Sequence, residues 1–266
     1  MELATPVLAV LCGLAAFAAG WRTAERSPSA AVAGAAAAAL LVGVRVAFRF
    51  RPEWEQSLLR FDLYAAAQLH WVFPVGAFAL GVGARRWGAP AGRWACVLAA
   101  GALVVFSAAG AWPGRADFHA LPAVARDGVV LQTQEYTCGP AAAATLLGQL
   151  GVAACEGEMA RLCRSAAWLG TTEGALCRAL RLKLDSEDFG VAFVRPDGER
   201  LARFMRPVLA RVRAGPWRDH WVVLLAINDR VAIVGDPALG RVEVPVARFL
   251  RDWRGTAIVV DREFLL

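Results

Sequence analysis

A chain of 266 residues that is 58% hydrophobic, with a mean hydropathy of +0.45, is too apolar for an ordinary water-soluble protein and points to membrane segments. Its formal net charge is +6 and its pI about 9.4, but Lys183 is the only lysine and the arginines are scattered. No basic stripe with interleaved aromatics is present, which excludes a nucleic-acid surface and leaves arginines at membrane edges and on solvated faces.

In chain order, Met1 to Gly20 is apolar from Leu3 onward and long enough to cross a bilayer. A secretory signal is the competing reading; against it stand Glu2 in place of a basic start and the further hydrophobic segments that follow. Trp21 to Ser29 reads as a short polar loop. Ala30 to Phe48 is a second span, in which Gly34 and Gly43 allow close helix approach. Arg49 to Asp62 reads as a loop or interfacial segment; Glu53 and Glu55 sit among balancing arginines and are not a catalytic pair. Leu63 to Ala84 is a third span, interrupted by Gln68, His70 and Pro74, where His70 either lines a polar path or bonds a neighbouring helix near a helix end. Trp94 to Trp112 is a fourth, with Trp at both ends as interface anchors.

Pro113 to Asp127 reads as a polar linker, after which the composition shifts. Gly128 to Leu131 is expected to be a short strand. Helices are expected at Ala141 to Leu150, Glu156 to Ser165 and Glu173 to Leu182, with a loop and N-cap at Leu169 to Glu173. From Val191 the apolar residues fall into short runs bounded by turn signals: Val191 to Val194, Val208 to Val212, Trp221 to Ile227, Arg230 to Val234, Arg241 to Val244 and Thr256 to Val260. They predict an antiparallel sheet, with a helix at Val246 to Trp253, and Gly128 to Leu266 is ample for one core.

Chemistry concentrates at Gln132-Thr133-Gln134-Glu135-Tyr136-Thr137-Cys138-Gly139-Pro140, followed at once by an Ala-rich helical run. Pro is favoured at a helix start because its missing N–H has no intrahelical partner there. That puts Cys138 at a helix N-terminus, where unpaired N–H groups and the helix dipole favour a thiolate. Gln132 is placed to offer a side-chain NH2 to the oxygen that gains charge when sulfur attacks a carbonyl. The chain has three histidines, His70, His119 and His220. His220 opens a strand-like run, and the next strand ends at Asp236, so two antiparallel neighbours bring acid and imidazole together.

These residues carry a resemblance. Gln132 and Cys138 with Gly139-Pro140, then Asp219-His220-Trp221-Val222-Val223, then Gly235-Asp236-Pro237-Ala238-Leu239-Gly240, resemble the peptidase C39 family over roughly Val129 to Val260. These are papain-like cysteine peptidases known from bacteriocin-processing transporters. The resemblance implies an α+β papain-like domain that cleaves a peptide bond in a secreted peptide's leader, often after a Gly-Gly pair. It also implies no cofactor and no metal. Cys138 is then the nucleophile, His220 the general base, Asp236 its orienter and Gln132 part of the oxyanion hole. The transporter members fuse such a domain to long membrane and ATPase domains; no G-x-x-x-x-G-K-[ST] phosphate loop occurs in these 266 residues.

Each residue also has a plain reading. Cys138 is otherwise a core cysteine, His220 a core histidine, Asp236 a turn cap before Pro237, and Gln132 a bond to local backbone. Asp219 is a competing orienter, but neighbours on a strand point to opposite faces. Thr171 and Thr172 read as helix-cap residues or cleft contacts. Cys12 and Cys96 lie in apolar segments. Cys155, Cys163 and Cys177 match no zinc spacing and read as core or helix-face residues, with a disulfide as the minority reading.

The expected organisation is thus an all-α transmembrane bundle of about four helices in residues 1–112, a linker at 113–127 and the peptidase domain at 128–266. Arginines flanking the spans balance between the two sides, so the resemblance and the need to keep Cys138 reduced set the expectation of an integral protein of a bacterial inner membrane with a cytoplasmic catalytic domain. The expected partners are a peptide or protein substrate, the lipid bilayer and a membrane export partner, with no nucleic acid. The alternative function is a non-cleaving C39-like module that holds a peptide for such a partner.

Overall fold

The computed structural model describes residues 4–50, 72–111, 118, 119, 121, 124–167, 170–204, 207–215 and 219–262. His70 and most of the segment read as interfacial, residues 51–62, lie outside them. The chain divides into two compact units, Met1–Pro113 and Gly114–Leu266.

The first unit is helical: α1 (Ala4–Arg26), α2 (Pro28–Phe50), α3 (Val72–Arg86) and α4 (Pro90–Ala111). Among the described residues three stretches, Val7–Arg26, Pro28–Ala47 and Pro90–Ala108, are long and apolar enough to cross a membrane. α3 is the described part of the third predicted span. The polar segment read as a loop is mostly helix, because α1 continues through Trp21 to Arg26 and only Ser27 breaks it. Arg, Thr and Glu are compatible with helix where the end meets water, and Arg85 pairs with Glu25 there at 3.7 Å. Ser27 then caps α2, its Oγ accepting from the Ala30 N–H at 3.2 Å.

Small residues set the packing in this unit. A Cβ on Gly20 would lie 2.1 Å from the Phe78 carbonyl oxygen, and one on Gly81 2.2 Å from that of Phe17, so α1 and α3 cross backbone to backbone. Larger residues of this unit point elsewhere: Leu8 and Leu11 of α1, Leu40 of α2, and Leu98 and Val105 of α4 are exposed, as side chains facing acyl chains would be.

The second unit opens with a short hairpin, β1 (Ala125–Arg126) and β2 (Val129–Val130), turned by Asp127 and Gly128, both at positive φ. Three helices follow, α5 (Cys138–Gln149), α6 (Glu156–Cys163) and α7 (Glu173–Lys183). Then come β3 (Gly190–Val194), α8 (Gly198–Ala202), β4 (Val208–Arg213), β5 (Asp219–Ile227), β6 (Val231–Asp236), β7 (Gly240–Pro245), α9 (Val246–Asp252) and β8 (Trp253–Asp261). The six long strands form one sheet, ordered β3-β8-β4-β5-β6-β7, with every neighbouring pair antiparallel.

Period-two alternation divides the sheet's apolar residues between two cores. Leu209, Trp221, Val223, Ile258 and Val260 meet α5, α6 and α7, whereas Val208, Ala210, Val222, Leu224 and Val259 meet α8 and α9 through Leu201 and Phe249. α5 sits deepest. Ala141 to Ala144 are all buried, and their small side chains bring the helix axis close to the sheet. This depth puts the first turn of α5 against the start of β5.

Candidate active site

The helix begins at Cys138 itself, with Thr137 as N-cap and the first helical bond running from the Ala141 N–H to the Thr137 carbonyl at 3.0 Å. Pro140 is therefore the third helical residue, still inside the first turn, where no N–H is required. Gly139 must be small: a Cβ there would come within 3.0 Å of the Thr171 Cβ and 3.2 Å of the Trp221 ring. Trp221 fixes this wall, its Nε1–H donating to the Thr171 carbonyl at 3.1 Å. Thr171 also shares a 2.6 Å hydrogen bond with Ser165, while Thr172 caps α7 by accepting from the Ala175 N–H.

His220 and Asp236 come from adjacent strands. The register pairs Val223 with Gly235, and one step further sets Asp236 opposite Val222, two residues from His220 on the same face. The diagonal is closed by a 2.8 Å hydrogen bond between His220 Nε2 and Asp236 Oδ1. With Nε2 engaged, Nδ1 is the ring nitrogen left for the Cys138 side chain, whose charge is coupled to that of His220. Asp236 performs its turn role at the same time, since Oδ1 accepts from the Ala238 N–H at 2.8 Å.

The charges of these three groups are coupled. Burial pushes the Cys138 thiol up, but the hydrogen bond and charge of His220, aided by the backbone N–H groups of Trp221 and Gly139, outweigh it and hold the thiol below its ordinary value. Burial would make His220 less basic, yet the bonds to Asp236 and Cys138 raise it to about 9. Asp236, opposed again by burial, is held below the usual carboxylate range by His220 and by the N–H groups of Ala238 and Leu239. Both shifts act in favour of thiolate beside imidazolium over thiol beside neutral imidazole.

Gln132 lies in the loop after β2. Its backbone N–H donates to the Pro237 carbonyl at 2.8 Å, latching the loop to the turn that follows Asp236. Its Nε2 donates to the Gln134 carbonyl at 2.9 Å, so a flipped amide would set two oxygens against each other; one Nε2 hydrogen remains for another acceptor. The local-backbone reading and the reading as a donor are thus both compatible with its geometry.

The profile of the peptidase C39 family matches residues 126–264. The chain belongs to the peptidase C39 family. An uncharacterized protein of Methanothermobacter marburgensis is 35% identical over 136 residues, which are 51% of this chain and 89% of that protein. A second, from Methanothermobacter thermautotrophicus, is 33% identical over 135 residues, 50% of this chain and 88% of its own length. Among solved structures, the peptidase domain of Streptococcus ComA, a bi-functional ABC transporter involved in quorum sensing, matches at 23% identity and TM-score 0.44, covering 50% of this chain and 96% of that one. A double glycine motif protease from an AMS/PCAT transporter, in complex with its leader peptide, matches at 22% identity and TM-score 0.43, covering 50% and 89%.

Other sequence candidates fall elsewhere in the chain. His119 lies in an exposed turn outside the C39 match. Asp219 turns from His220 and binds Arg211 at 3.1 Å and Arg254 at 2.6 Å, as strand alternation predicts. Arg211 also bonds Glu173, next to the Thr171–Thr172 wall. Cys163 and Cys177 are buried free thiols, and Cys155 caps α6 by accepting from the Glu158 N–H.

Two buried residues beside the candidate site carry no sequence signal of their own. Thr137 is wholly buried and Glu156 is 1% exposed, and a 2.5 Å hydrogen bond joins them beneath the Gln132–Cys138 loop. Glu156 reads in sequence only as a first-turn helix acid.

Proposed function

We propose that the Gly114–Leu266 unit is a cysteine peptidase that hydrolyses a peptide bond in the leader of a secreted peptide, and that the apolar helices of the other unit hold it at a membrane, with the catalytic unit on the cytoplasmic side beside an export partner. The observation that supports this reading is the His220–Asp236 pair closing on a cysteine at the start of a buried helix. The Cys138 thiolate attacks the substrate carbonyl carbon, forming a C–S bond. The oxygen's growing charge is received by the free Nε2 hydrogen of Gln132 and the backbone N–H of Cys138 at the start of α5. His220, already protonated, gives its proton to the leaving amine as the C–N bond breaks. It then takes a proton from the water that opens the thioester, while Asp236 holds the ring by Nε2 throughout.

The test uses the full chain in detergent or membranes with a thiol-directed peptide electrophile. Selective labelling of Cys138 that disappears in His220→Ala supports the reading. Labelling of the other cysteines to the same extent as Cys138 refutes it. A comparison of cells carrying wild-type and Cys138→Ala protein then identifies the substrate, as peptide termini present only with the intact thiol.

A further inference from the structure

The loop between β2 and α5 must aim two groups, the Gln132 amide and the Cys138 sulfur, at one reacting carbon, and it contains no regular element that could do so. Its shape is set from below. Glu156, the first residue of α6, places Oε1 2.8 Å from the Thr133 backbone N–H and 2.5 Å from the Thr137 hydroxyl. The Thr137 oxygen accepts in turn from the Gln134 N–H at 3.2 Å and lies 2.9 Å from the Gln134 carbonyl, the same carbonyl that receives the Gln132 side chain. One oxygen of a carboxylate thus reaches the residue after Gln132 and, through Thr137, the residue before Cys138.

We infer that Glu156 is a positioning residue: acting through Thr133 and Thr137, it fixes the distance between the Gln132 amide and the Cys138 sulfur. The inference rests on the peptidase reading above, since it assigns the alignment of that reading's nucleophile and oxyanion donor. It makes a specific demand. Reactions at Cys138 that develop an oxyanion need the aligned pair, whereas direct alkylation of the sulfur needs only the thiolate.

The test compares two probes on the full-length protein. p-Nitrophenyl acetate acylates Cys138 with formation of the C–S bond, passage through an oxyanion and release of p-nitrophenolate; iodoacetamide alkylates the sulfur with loss of iodide and no oxyanion. Misplacement of reacting groups by about an ångström costs on the order of 10²-fold. Glu156→Ala and Thr137→Val are therefore expected to slow acylation by about 10–100-fold while alkylation at the same pH changes by less than about threefold. Thr137→Ser, which keeps the hydroxyl, is expected to retain the wild-type ratio, and Glu156→Gln, which keeps an acceptor oxygen, to recover most of it.

Unchanged acylation in both disruptive variants overturns the inference, as does a parallel fall of acylation, alkylation and melting temperature, the signature of a merely structural role. Thr137→Val, nearly isosteric, decides between these outcomes if Glu156→Ala fails to fold. Failure of the peptidase reading is separately visible: wild-type protein would then show no more acylation or alkylation than Cys138→Ala.

Discussion

The start of α5 and the interior between α6 and α7 shift the same side chain in opposite directions. Cys163 and Cys177 are 3% and 1% exposed, and burial pushes both thiols up, Cys177 to about 12, so they stay protonated at any physiological pH. Burial is the largest influence on Cys138 as well, yet Cys138 moves the other way. The difference is partnership. Cys138 begins a helix, where the Gly139 N–H favours its charged form, and it faces an imidazole that an aspartate holds charged; Cys163 ends its helix and Cys177 lies within one. Desolvation alone makes an inert thiol, and desolvation beside a fixed positive charge makes a reactive one.

The comparison breaks most visibly at the sulfur. Cys138→Ala is expected to lower peptide cleavage by about 10⁴-fold or more, whereas the same change at Cys163 or Cys177 leaves cleavage near the wild-type rate. Product formation by mass spectrometry distinguishes these outcomes. Asp236→Asn keeps the size of the orienter and removes its charge, and the expected loss is on the order of 10²–10⁴-fold. This variant also moves the pH profile. His220 lies at about 9, above its ordinary value, and Cys138 lies below its own, so the ion pair exists from the lowered Cys138 value up to about pH 9. Below that window sulfur takes a proton, and above it the imidazolium loses one. With Asp236→Asn the upper limb moves to lower pH, measurable as the pH dependence of peptide cleavage, in which the imidazolium gives its proton to the leaving amine. An upper limb that does not move would mean that Asp236 only caps its turn.

Gln132→Ala probes the other side of the attacked carbonyl. Loss of one oxyanion donor costs about 10²–10³-fold in turnover, and alkylation, which passes through no oxyanion, is expected to keep its wild-type rate and profile. Equal slowing of both would return Gln132 to the plain local-backbone reading that its bond to Gln134 also permits.

The sequence exposes the parts of this site that coincide with local signals. Gly139-Pro140 before an alanine run marks a helix start, and His220 and Asp236 each bound an apolar run, so the three candidates stand beside local signals and the resemblance supplies their expected roles. The strands of the sheet are legible for the same reason, to within a few residues at their ends. Contacts that exist only after folding are not. Glu156 lies 19 residues beyond Thr137, and nothing local ties a first-turn acid to a buried threonine. Alternation places Asp219 on the correct face, but its partners Arg211 and Arg254 arrive from β4 and β8, on separate strands. The five-residue α8 escapes because a single turn capped by Asp197 has too few residues for a periodic pattern. In the helical unit, polarity at Trp21 to Arg26 suggests a loop, although charged residues at a bilayer edge continue a helix as readily as they end one.

The smallest expected effect on catalysis tests the inert half of the comparison. Cys177→Ser replaces a buried thiol by a hydroxyl of similar size that is dearer to desolvate, which costs about 1–3 kcal/mol when no partner is gained. Within α7 the hydroxyl can bond the carbonyl one turn back, at Glu173, which puts the cost toward the lower end and the fall in melting temperature at a few degrees. Cleavage is expected to change by less than about twofold and the Cys138 alkylation profile to keep its midpoint, because no charge has been altered near His220. A shifted midpoint would show that the core thiols take part in setting the Cys138 charge, and the contrast between the two regions would then be one coupled system.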